Sequence, residues 1–357
     1  EIRASLLKNA LHLDESNANE LPEFLDLISA RTEFYDYPTA LPTVERSSIK
    51  LDLHRRDFTI NTLALRLDGR HYGDLYDYWG GYADLQRGLI RVLHSLSFVD
   101  DPTRMLRAVR FEQRFGFQIE ERTLQLMHEA RDLLRQVSGD RLRHELDLIL
   151  AEEDPLPALK RLEDLQLLTA IHPDLHWEPH LAEPMHKVLK EPLEPAWDLP
   201  ESWGGTPIRR ALAYLVWFLS LPAEKSAGIA QRLRLPHHLR EGLRIGANLI
   251  PDLKNLPDLT PSQVVARLDG VPLPVIYALY QLHYGTEIAN VLCTYATQWR
   301  HILPVTDGHT LRKMGLPPGP TYRRILWTLR AAWLDGQVHS ADQERALLEQ
   351  LLASRTP

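Results

Sequence analysis

Apolar residues at helical spacing recur through most of this chain beyond residue 98, and they predict a mainly α-helical protein. The best-marked helix lies within Val99–Phe117, where Asp101 can cap the free backbone N–H groups and Pro102 stands at the first helical position. At about 100° per residue, Met105, Leu106 and Val109 fall on one side, and Arg104, Arg107, Arg110 and Arg114 fall on the other. We expect the first side to pack and the second to carry charge.

The cationic side of this helix has two interpretations. Its spacing alone is typical of a solvated basic stripe on an amphipathic helix. However, the stripe contains arginine and no lysine. A guanidinium makes planar, bidentate contacts to phosphate groups or base edges, which a merely soluble face does not require. The spacing therefore favours solvation, whereas the kind of cation favours binding.

Residues before this helix predict an α/β unit that closes near His94. Phe24–Ala30 is predicted as a strand, and Asp26 is a lone carboxylate among its apolar residues. Such a charge either points to solvent at an edge or is held by a metal ion. Two further short strands are predicted at Leu65–Leu67 and Leu89–Leu93.

The segment Leu53–Leu65, LHRRDFTINTLAL, has the composition of a binding turn. Arg55 and Arg56 are placed to clamp phosphate groups. Asp57 either caps the helix that follows or accepts a hydrogen bond from a sugar hydroxyl, and chemistry alone favours the cap.

Composition limits the partners and the compartment. The chain has 357 residues and a formal net charge of −7, so nucleic acid would have to meet local basic surfaces. Cys293 is the only cysteine, which excludes a disulfide framework and a thiolate zinc site and fits a reducing cytoplasm. The sequence has neither a long apolar run nor a signal-peptide pattern, and therefore predicts a soluble cytoplasmic protein without a membrane partner.

Five motifs then carry a resemblance to a known family. They are RRDFTIN at Arg55–Asn61, YWGGYADL at Tyr78–Leu85, DDPTRMLRAVRF at Asp100–Phe111, GFQIEERT at Gly116–Thr123 and VSGDRLRHEL at Val137–Leu146. In this order they resemble the motifs of the tRNA nucleotidyltransferase and bacterial poly(A) polymerase family. The likeness is strongest to large bacterial members that add A residues.

The resemblance implies template-independent transfer of nucleotides from ATP or CTP to the 3′ end of tRNA or another RNA, with Mg²⁺ as the metal. Asp26 matches the third metal-binding carboxylate of the family. Asp101 and Arg104 match its base-reading pair, in which an acceptor and a donor meet the amine and ring nitrogen of A or C. G and U present a carbonyl beside an N–H instead. The other nucleotide-binding residues that the match implies are Arg56, Asp57, Asn61, Arg107 and Arg110.

Two departures from the family pattern affect these expectations. The family's earlier signature has two glycines and an arginine–aspartate pair, followed by two aspartates one residue apart, and it is not in this sequence. We therefore expect the two principal metal ligands to be missing and the catalytic head to be incomplete. Asp100 also stands where the family usually has Glu, which shortens that side chain by one methylene.

The C-terminal segment Ile288–Leu334 is basic, since its only acid is Asp307. Its cations are Arg300, Arg312, Lys313, Arg323, Arg324 and Arg330, and they interleave with Tyr295, Trp299, Tyr322, Trp327 and Trp333. Such a surface suits RNA phosphates and shape-based contact. Alternatively, the aromatic residues form a helical core and the charges are solvated. The candidate RNA contacts are Arg312, Lys313, Arg323 and Arg324.

These assignments predict a partial nucleotidyltransferase head at 1–97, a helical neck with the nucleotide-reading motif at 98–175, and a helical RNA-binding body and tail at 176–357. The expected fold is mainly α and elongated, with an incomplete N-terminal α/β head. Two functions fit: an A-adding, CCA-adding or poly(A)-forming enzyme, or a non-catalytic RNA-binding protein that has lost the metal-binding part of the head. The sequence leaves the oligomeric state open.

Overall fold

The computed structural model describes residues 2–3, 24–34 and 43–353. The chain forms two compact units, Glu1–Val137 and Ser138–Pro357. Helices account for most of the described residues, so the predicted mainly α fold is confirmed. In the described part of the chain, every helix is too short or too polar to cross a bilayer.

The strands of the first unit are short and paired. Ile2–Arg3 pairs with Phe24–Leu25, Arg31–Phe34 with Thr43–Arg46, and Ala64–Leu65 with Leu75–Tyr76, all antiparallel. Leu89–Ile90 pairs in parallel with Gln118–Ile119, and Phe58 forms an antiparallel bridge to Val92. Because Phe58 bridges to Val92, the RRDFTIN segment lies beside the residues that follow the Leu89–Ile90 strand.

The strand predicted at Phe24–Ala30 is wrong for most of its length. The strand ends at Leu25, and Asp26 lies in the exposed, irregular segment that follows. Leu27 and Ile28 are 75% and 73% exposed, so this apolar run is not a buried strand. The strand predicted at 65–67 is shorter and begins one residue earlier, at Ala64–Leu65, and the strand predicted at 89–93 begins at the expected residue but ends at Ile90.

The helices of the first unit surround one apolar core. They are Ile49–His54, Gly81–Arg87, Ser97–Asp100, Arg104–Phe115 and Glu121–Ala130, with 3₁₀ turns at Thr59–Thr62, Gly69–His71 and Arg131–Gln136. We call Arg104–Phe115 the arginine helix. Its Met105, Leu106 and Val109 are fully buried, which confirms the predicted packing side. The RRDFTIN segment joins the same core through Phe58, whose ring meets the edge of Phe111 at a centroid distance of 5.8 Å.

The second unit is built almost entirely of helices. They are Gly139–Leu150, Leu156–Asp164, Leu167–Ile171, Ala182–Lys190, Ile208–Leu219, Ala223–Arg232, His237–Leu253, Pro261–Leu268, Leu273–Leu282, Glu287–Thr297, Gly308–Lys313, Pro320–Leu334 and Ala341–Ala353. Strands Ser202–Trp203 and Thr206–Pro207 form a small hairpin, and 3₁₀ turns occur at Pro179–Leu181, Pro195–Trp197, Leu256–Asp258 and Trp299–His301.

Aromatic residues fill the main core of the second unit. Tyr214, Trp217 and Phe218 of the Ile208–Leu219 helix are at most 1% exposed. Trp197 is fully buried and meets the edge of Tyr277 with ring centroids 4.8 Å apart. A smaller core, formed by Leu311, Ile325, Leu329 and Leu348, joins the last three helices.

Gly81 allows the Gly81–Arg87 helix to lie directly against the Thr59–Thr62 turn. A Cβ at position 81 would come within 2.2 Å of the carbonyl oxygen of Thr59, far inside van der Waals contact. The carboxylate of Asp77 fixes the start of this helix, because it accepts hydrogen bonds from the N–H groups of Gly81 at 2.8 Å and Tyr82 at 3.0 Å.

Gly81→Ala should therefore destabilise the first unit. Because backbone must move to admit the methyl group, we expect the free energy of unfolding to fall by about 1–3 kcal/mol, the usual cost of overpacking. Urea unfolding measures this change. Gly308→Ala is the matched control, since a Cβ there meets its nearest atom, on Tyr322, at 3.7 Å. Equal losses in both variants would contradict the expected clash.

Candidate functional site

Asp101 organises the turn that leads into the arginine helix. Its Oδ1 accepts hydrogen bonds from the N–H of Thr103 at 3.0 Å and from the Thr103 hydroxyl at 2.7 Å. The N–H of Arg104 donates to the carbonyl of Asp101 at 3.1 Å. Asp101 thus caps the turn rather than the helix itself, and this turn links the backbones of Asp101 and Arg104.

Arg104 is held by two protein acceptors. Its Nη1 donates to the hydroxyl of Ser97 at 2.7 Å, and its Nη2 donates to the backbone carbonyl of Arg55 at 2.8 Å. Arg104 is 5% exposed, and Ser97 is fully buried. A buried guanidinium with directed bonds of this kind has a fixed orientation.

The arginine stripe is not a uniform solvated face. Arg104 and Arg110 are buried, Arg107 is half-buried and Arg114 is exposed. The guanidinium of Arg110 lies 4.7 Å from the centre of the Phe111 ring, within cation–π distance. The interpretation of the stripe as a solvated surface is therefore wrong for its buried members.

Asp57, Asn61 and Arg107 form a second group beside Arg104. The Oδ1 of Asp57 accepts from the Asn61 amide at 2.8 Å and from the N–H of Phe58 at 2.9 Å, while its Oδ2 lies 2.8 Å from Arg107 Nη2. Asp57 is 5% exposed, so it is an ion-pair partner in the interior. The favoured prediction, that Asp57 caps the next helix, is wrong: Phe58 occupies the position before the Thr59–Thr62 turn.

Asp52 forms ion pairs with both arginines of the RRDFTIN segment. It accepts from Arg55 at 2.9 Å, from Arg56 at 3.3 Å and from the N–H of Arg31 at 3.1 Å. Burial alone would raise the pKa of Asp52, but these donors outweigh it, and the pKa lies below its usual 3.8. The side chain of Arg56 stays 42% exposed, whereas that of Arg55 is 21% exposed. Arg56 is thus the better placed of the two to meet a phosphate group.

Asp84 bonds both to the RRDFTIN segment and to Arg91, the residue that follows the Leu89–Ile90 strand. Its Oδ2 accepts from the hydroxyl of Thr59 at 2.7 Å and from Arg91 Nε at 3.0 Å. Arg91 also lies 3.3 Å from the carboxylate of Glu120. The buried bond to Thr59 holds the backbone between Asp57 and Asn61 in place.

Asp100 faces His94. The imidazole Nε2 lies 3.8 Å from the Asp100 carboxylate. Burial lowers the pKa of His94 and outweighs the opposing effect of Asp100, so the imidazole is less readily protonated than usual. The ring of His94 also stacks on the ring of His54, with the two centroids 5.7 Å apart. Asp100 therefore lies beside a pair of stacked imidazole rings.

A site for Mg²⁺ with three protein ligands is absent from the residues that the structure describes. Within residues 2–3, 24–34 and 43–353, the structure brings together no group of three His, Cys, Asp or Glu side chains suited to hold a metal ion. Asp26 is exposed after its short strand. Its assignment as a metal ligand and catalytic residue stays a prediction.

Four cations of the C-terminal segment form an exposed basic surface. Arg312 and Lys313 end the Gly308–Lys313 helix, and Arg323 and Arg324 lie near the start of Pro320–Leu334. All four are exposed, and their neighbours Leu311 and Ile325 pack in the same small core. We call these four residues the C-terminal basic surface.

The two remaining arginines of this segment are structural. Arg330 pairs with Asp269 and donates to the carbonyls of Ile302 at 2.8 Å and Arg300 at 3.2 Å. Arg300 in turn donates to the carbonyl of Trp197 at 3.4 Å. For these residues, packing is the correct interpretation. A groove of about 650 Å³ beside them is lined by Tyr322, Arg323, Leu326 and Trp327, among others.

Sequence reasoning missed Asp52 and Ser97. Asp52 had a usable signal, because Arg55 and Arg56 follow it at the three- and four-residue spacings that meet on a helix. Ser97 had none, since its partner depends on how the arginine helix packs.

Comparisons with known proteins agree with these motifs. A family model described as the poly(A) polymerase head domain matches residues 8–91, and one described as a probable RNA- and SrmB-binding site of polymerase A matches residues 116–178. The A-adding tRNA nucleotidyltransferase of Halalkalibacterium halodurans is 33% identical over 323 residues, covering 88% of this chain and 71% of that protein.

Two further likenesses extend along the chain. The A-adding tRNA nucleotidyltransferase of Geobacter sulfurreducens is 38% identical, covering 92% of this chain but 38% of that longer protein. The solved structure of the Thermotoga maritima CCA-adding enzyme complexed with tRNA matches with a TM-score of 0.69 and 30% identity, covering 97% of this chain and 84% of that one. This chain therefore belongs to the tRNA nucleotidyltransferase and poly(A) polymerase family.

Proposed function

We propose that this chain reads the nucleotide and binds the RNA in an enzyme that adds A residues to the 3′ end of tRNA without a template, using ATP. The family supports nucleotide addition to tRNA, and two relatives are named as A-adding enzymes. Family membership alone supports Mg²⁺ as the metal ion of this reaction. The single cysteine supports a reducing cytoplasm as its location.

The observation that carries the proposal is that Asp101 and Arg104 are held in place at the same turn, Asp101 by Thr103 and Arg104 by Ser97 and the carbonyl of Arg55. Adenine presents an exocyclic amine, which donates, beside a ring nitrogen, which accepts. A carboxylate and a guanidinium side by side complement that edge, whereas guanine presents a carbonyl and an N–H in the reverse order. Because Arg104 is already oriented by Ser97 and Arg55, little ordering is required when a base binds.

The neighbouring group suits the sugar and phosphates. The buried Asp57 carboxylate orients Asn61 and Arg107, and Asn61 offers its amide to ribose hydroxyls. Arg56 supplies a partly exposed guanidinium for a phosphate group. Arg110 lies on the same helix as Arg104 and Arg107, and its buried cation is held over the ring of Phe111.

RNA binding is assigned to the C-terminal basic surface. Its four exposed cations provide charge for phosphates in a chain that is acidic overall. The related Thermotoga maritima structure contains tRNA, which supports tRNA as the RNA bound here.

Arg104→Ala should weaken ATP binding. Loss of the guanidinium leaves the ring acceptor of adenine unpaired, which costs about 1–3 kcal/mol, or about 5- to 150-fold in affinity. Calorimetric titration with ATP measures the change, and thermal unfolding checks that the variant is folded. Arg114→Ala, an exposed position on the same helix, is the control. Equal ATP affinity in Arg104→Ala and the parent would rule out base reading by Arg104.

Replacing Arg312, Lys313, Arg323 and Arg324 with Ala should weaken tRNA binding and flatten its salt dependence. Each cation that no longer neutralises a phosphate group lowers the slope of log K against log salt by about 0.7–0.9, so removal of all four lowers it by about 3. ATP binding should be unchanged. A control with the same charge change replaces Lys160, Lys225, Arg244 and Lys254, which are exposed elsewhere.

Salt titrations of tRNA binding by the two quadruple variants and the parent decide the result. If the C-terminal variant follows the parent, these cations do not contact tRNA.

A further inference from the structure

Ser97 lies where it can control the direction of Arg104. Its hydroxyl is fully buried and accepts from Arg104 Nη1 at 2.7 Å. The carbonyl of Arg55 accepts from the other terminal nitrogen at 2.8 Å. Two acceptors on two different nitrogens prevent the planar guanidinium from turning about either bond.

The position of Ser97 is itself fixed by the short Ser97–Asp100 helix. The N–H of Asp101 donates to the carbonyl of Ser97 at 3.2 Å, and the neighbouring Phe98 is fully buried. The same short segment therefore sets the place of the Ser97 hydroxyl and of the Asp101 carboxylate. The second acceptor is the backbone carbonyl of Arg55. This residue is also held in place, because its side chain pairs with Asp52 at 2.9 Å.

We propose that Ser97 is a positioning residue that determines base specificity by fixing the orientation of Arg104. The inference rests on the proposed function, in which Arg104 and Asp101 read adenine. With both acceptors in place, the remaining N–H groups of Arg104 meet only a ring nitrogen that accepts. Without the Ser97 hydroxyl, the guanidinium pivots on the Arg55 carbonyl and can reach the carbonyl oxygen of guanine. The expected consequence is acceptance of the wrong base.

The test compares ATP and GTP as donors for addition to a tRNA that lacks its final A, using the full-length protein. The variants are Ser97→Ala, Arg104→Ala and the double variant, and kcat and KM are measured for each nucleotide. Ser226→Ala is the matched control, because Ser226 is a buried helical serine in the second unit, at 3% exposure. Thermal unfolding and tRNA binding are measured for every variant.

We expect Ser97→Ala to lower the ATP-over-GTP preference in kcat/KM by about tenfold, the effect of one hydrogen bond to a charged group. Much of the change should be a gain with GTP, which loss of stability would not produce. On the Arg104→Ala background, Ser97→Ala should change the preference no further, since it acts through Arg104. Ser226→Ala should keep the preference of the parent. If Ser97→Ala does not fold, Ser97→Cys has nearly the same volume and a weak acceptor, and the same fall is expected.

Three results would overturn the inference. In the first, Arg104→Ala changes the preference and Ser97→Ala does not, so Arg104 reads the base without help from Ser97. In the second, the two effects add in the double variant, so Ser97 acts by another route. In the third, Arg104→Ala leaves the preference unchanged, which removes the base-reading role from the proposed function as well.

Discussion

The buried guanidinium of Arg104 is the contact on which the candidate site depends. It bonds to Ser97, seven positions before it, and to the carbonyl of Arg55, in a segment 49 positions before it. Burying such a charge is costly unless it is hydrogen-bonded, so the folded state requires both partners. The arginine helix and the RRDFTIN segment are thereby fixed to each other.

The surrounding charges extend this arrangement. Arg107 meets Asp57 one turn further along the helix, and Asp52 holds the side chains of Arg55 and Arg56. Each of these arginines, like Arg104, is thus oriented by a carboxylate, a carbonyl or a hydroxyl of the protein. A site of this kind is ordered before its ligand arrives, which reduces the entropy lost on binding. The same contacts explain why arginine is used here, because a lysine ammonium lacks the planar fork that binds two acceptors at once.

The sequence predicted the elements but not the partners. Helical spacing located the arginine helix and its packing side, and the ordered motifs gave the family and the residues from Arg56 to Arg110. The burial of Arg104 and Arg110 could not be predicted. Helical spacing shows on which side of a helix a residue lies, but not which part of the chain packs against that side. Asp57 was assigned to a cap by local chemistry, but its partner Arg107 is 50 positions away. Two-residue strands such as Phe24–Leu25 are set by pairing, so the apolar run to Ala30 overestimated their length.

The C-terminal segment shows the same limit. Composition correctly marked Ile288–Leu334 as basic, yet it could not separate Arg330, bound to Asp269, from the exposed Arg323 and Arg324. Only the packing distinguishes them.

A crystal structure with bound ATP tests the central claim most directly. The account predicts that Arg104 and Asp101 lie about 2.7–3.2 Å from the ring nitrogen and amine of adenine. It also predicts that Arg104 keeps its bonds to Ser97 and the Arg55 carbonyl. Adenine bound away from Arg104, or an Arg104 side chain turned off Ser97 to meet the base, would contradict it.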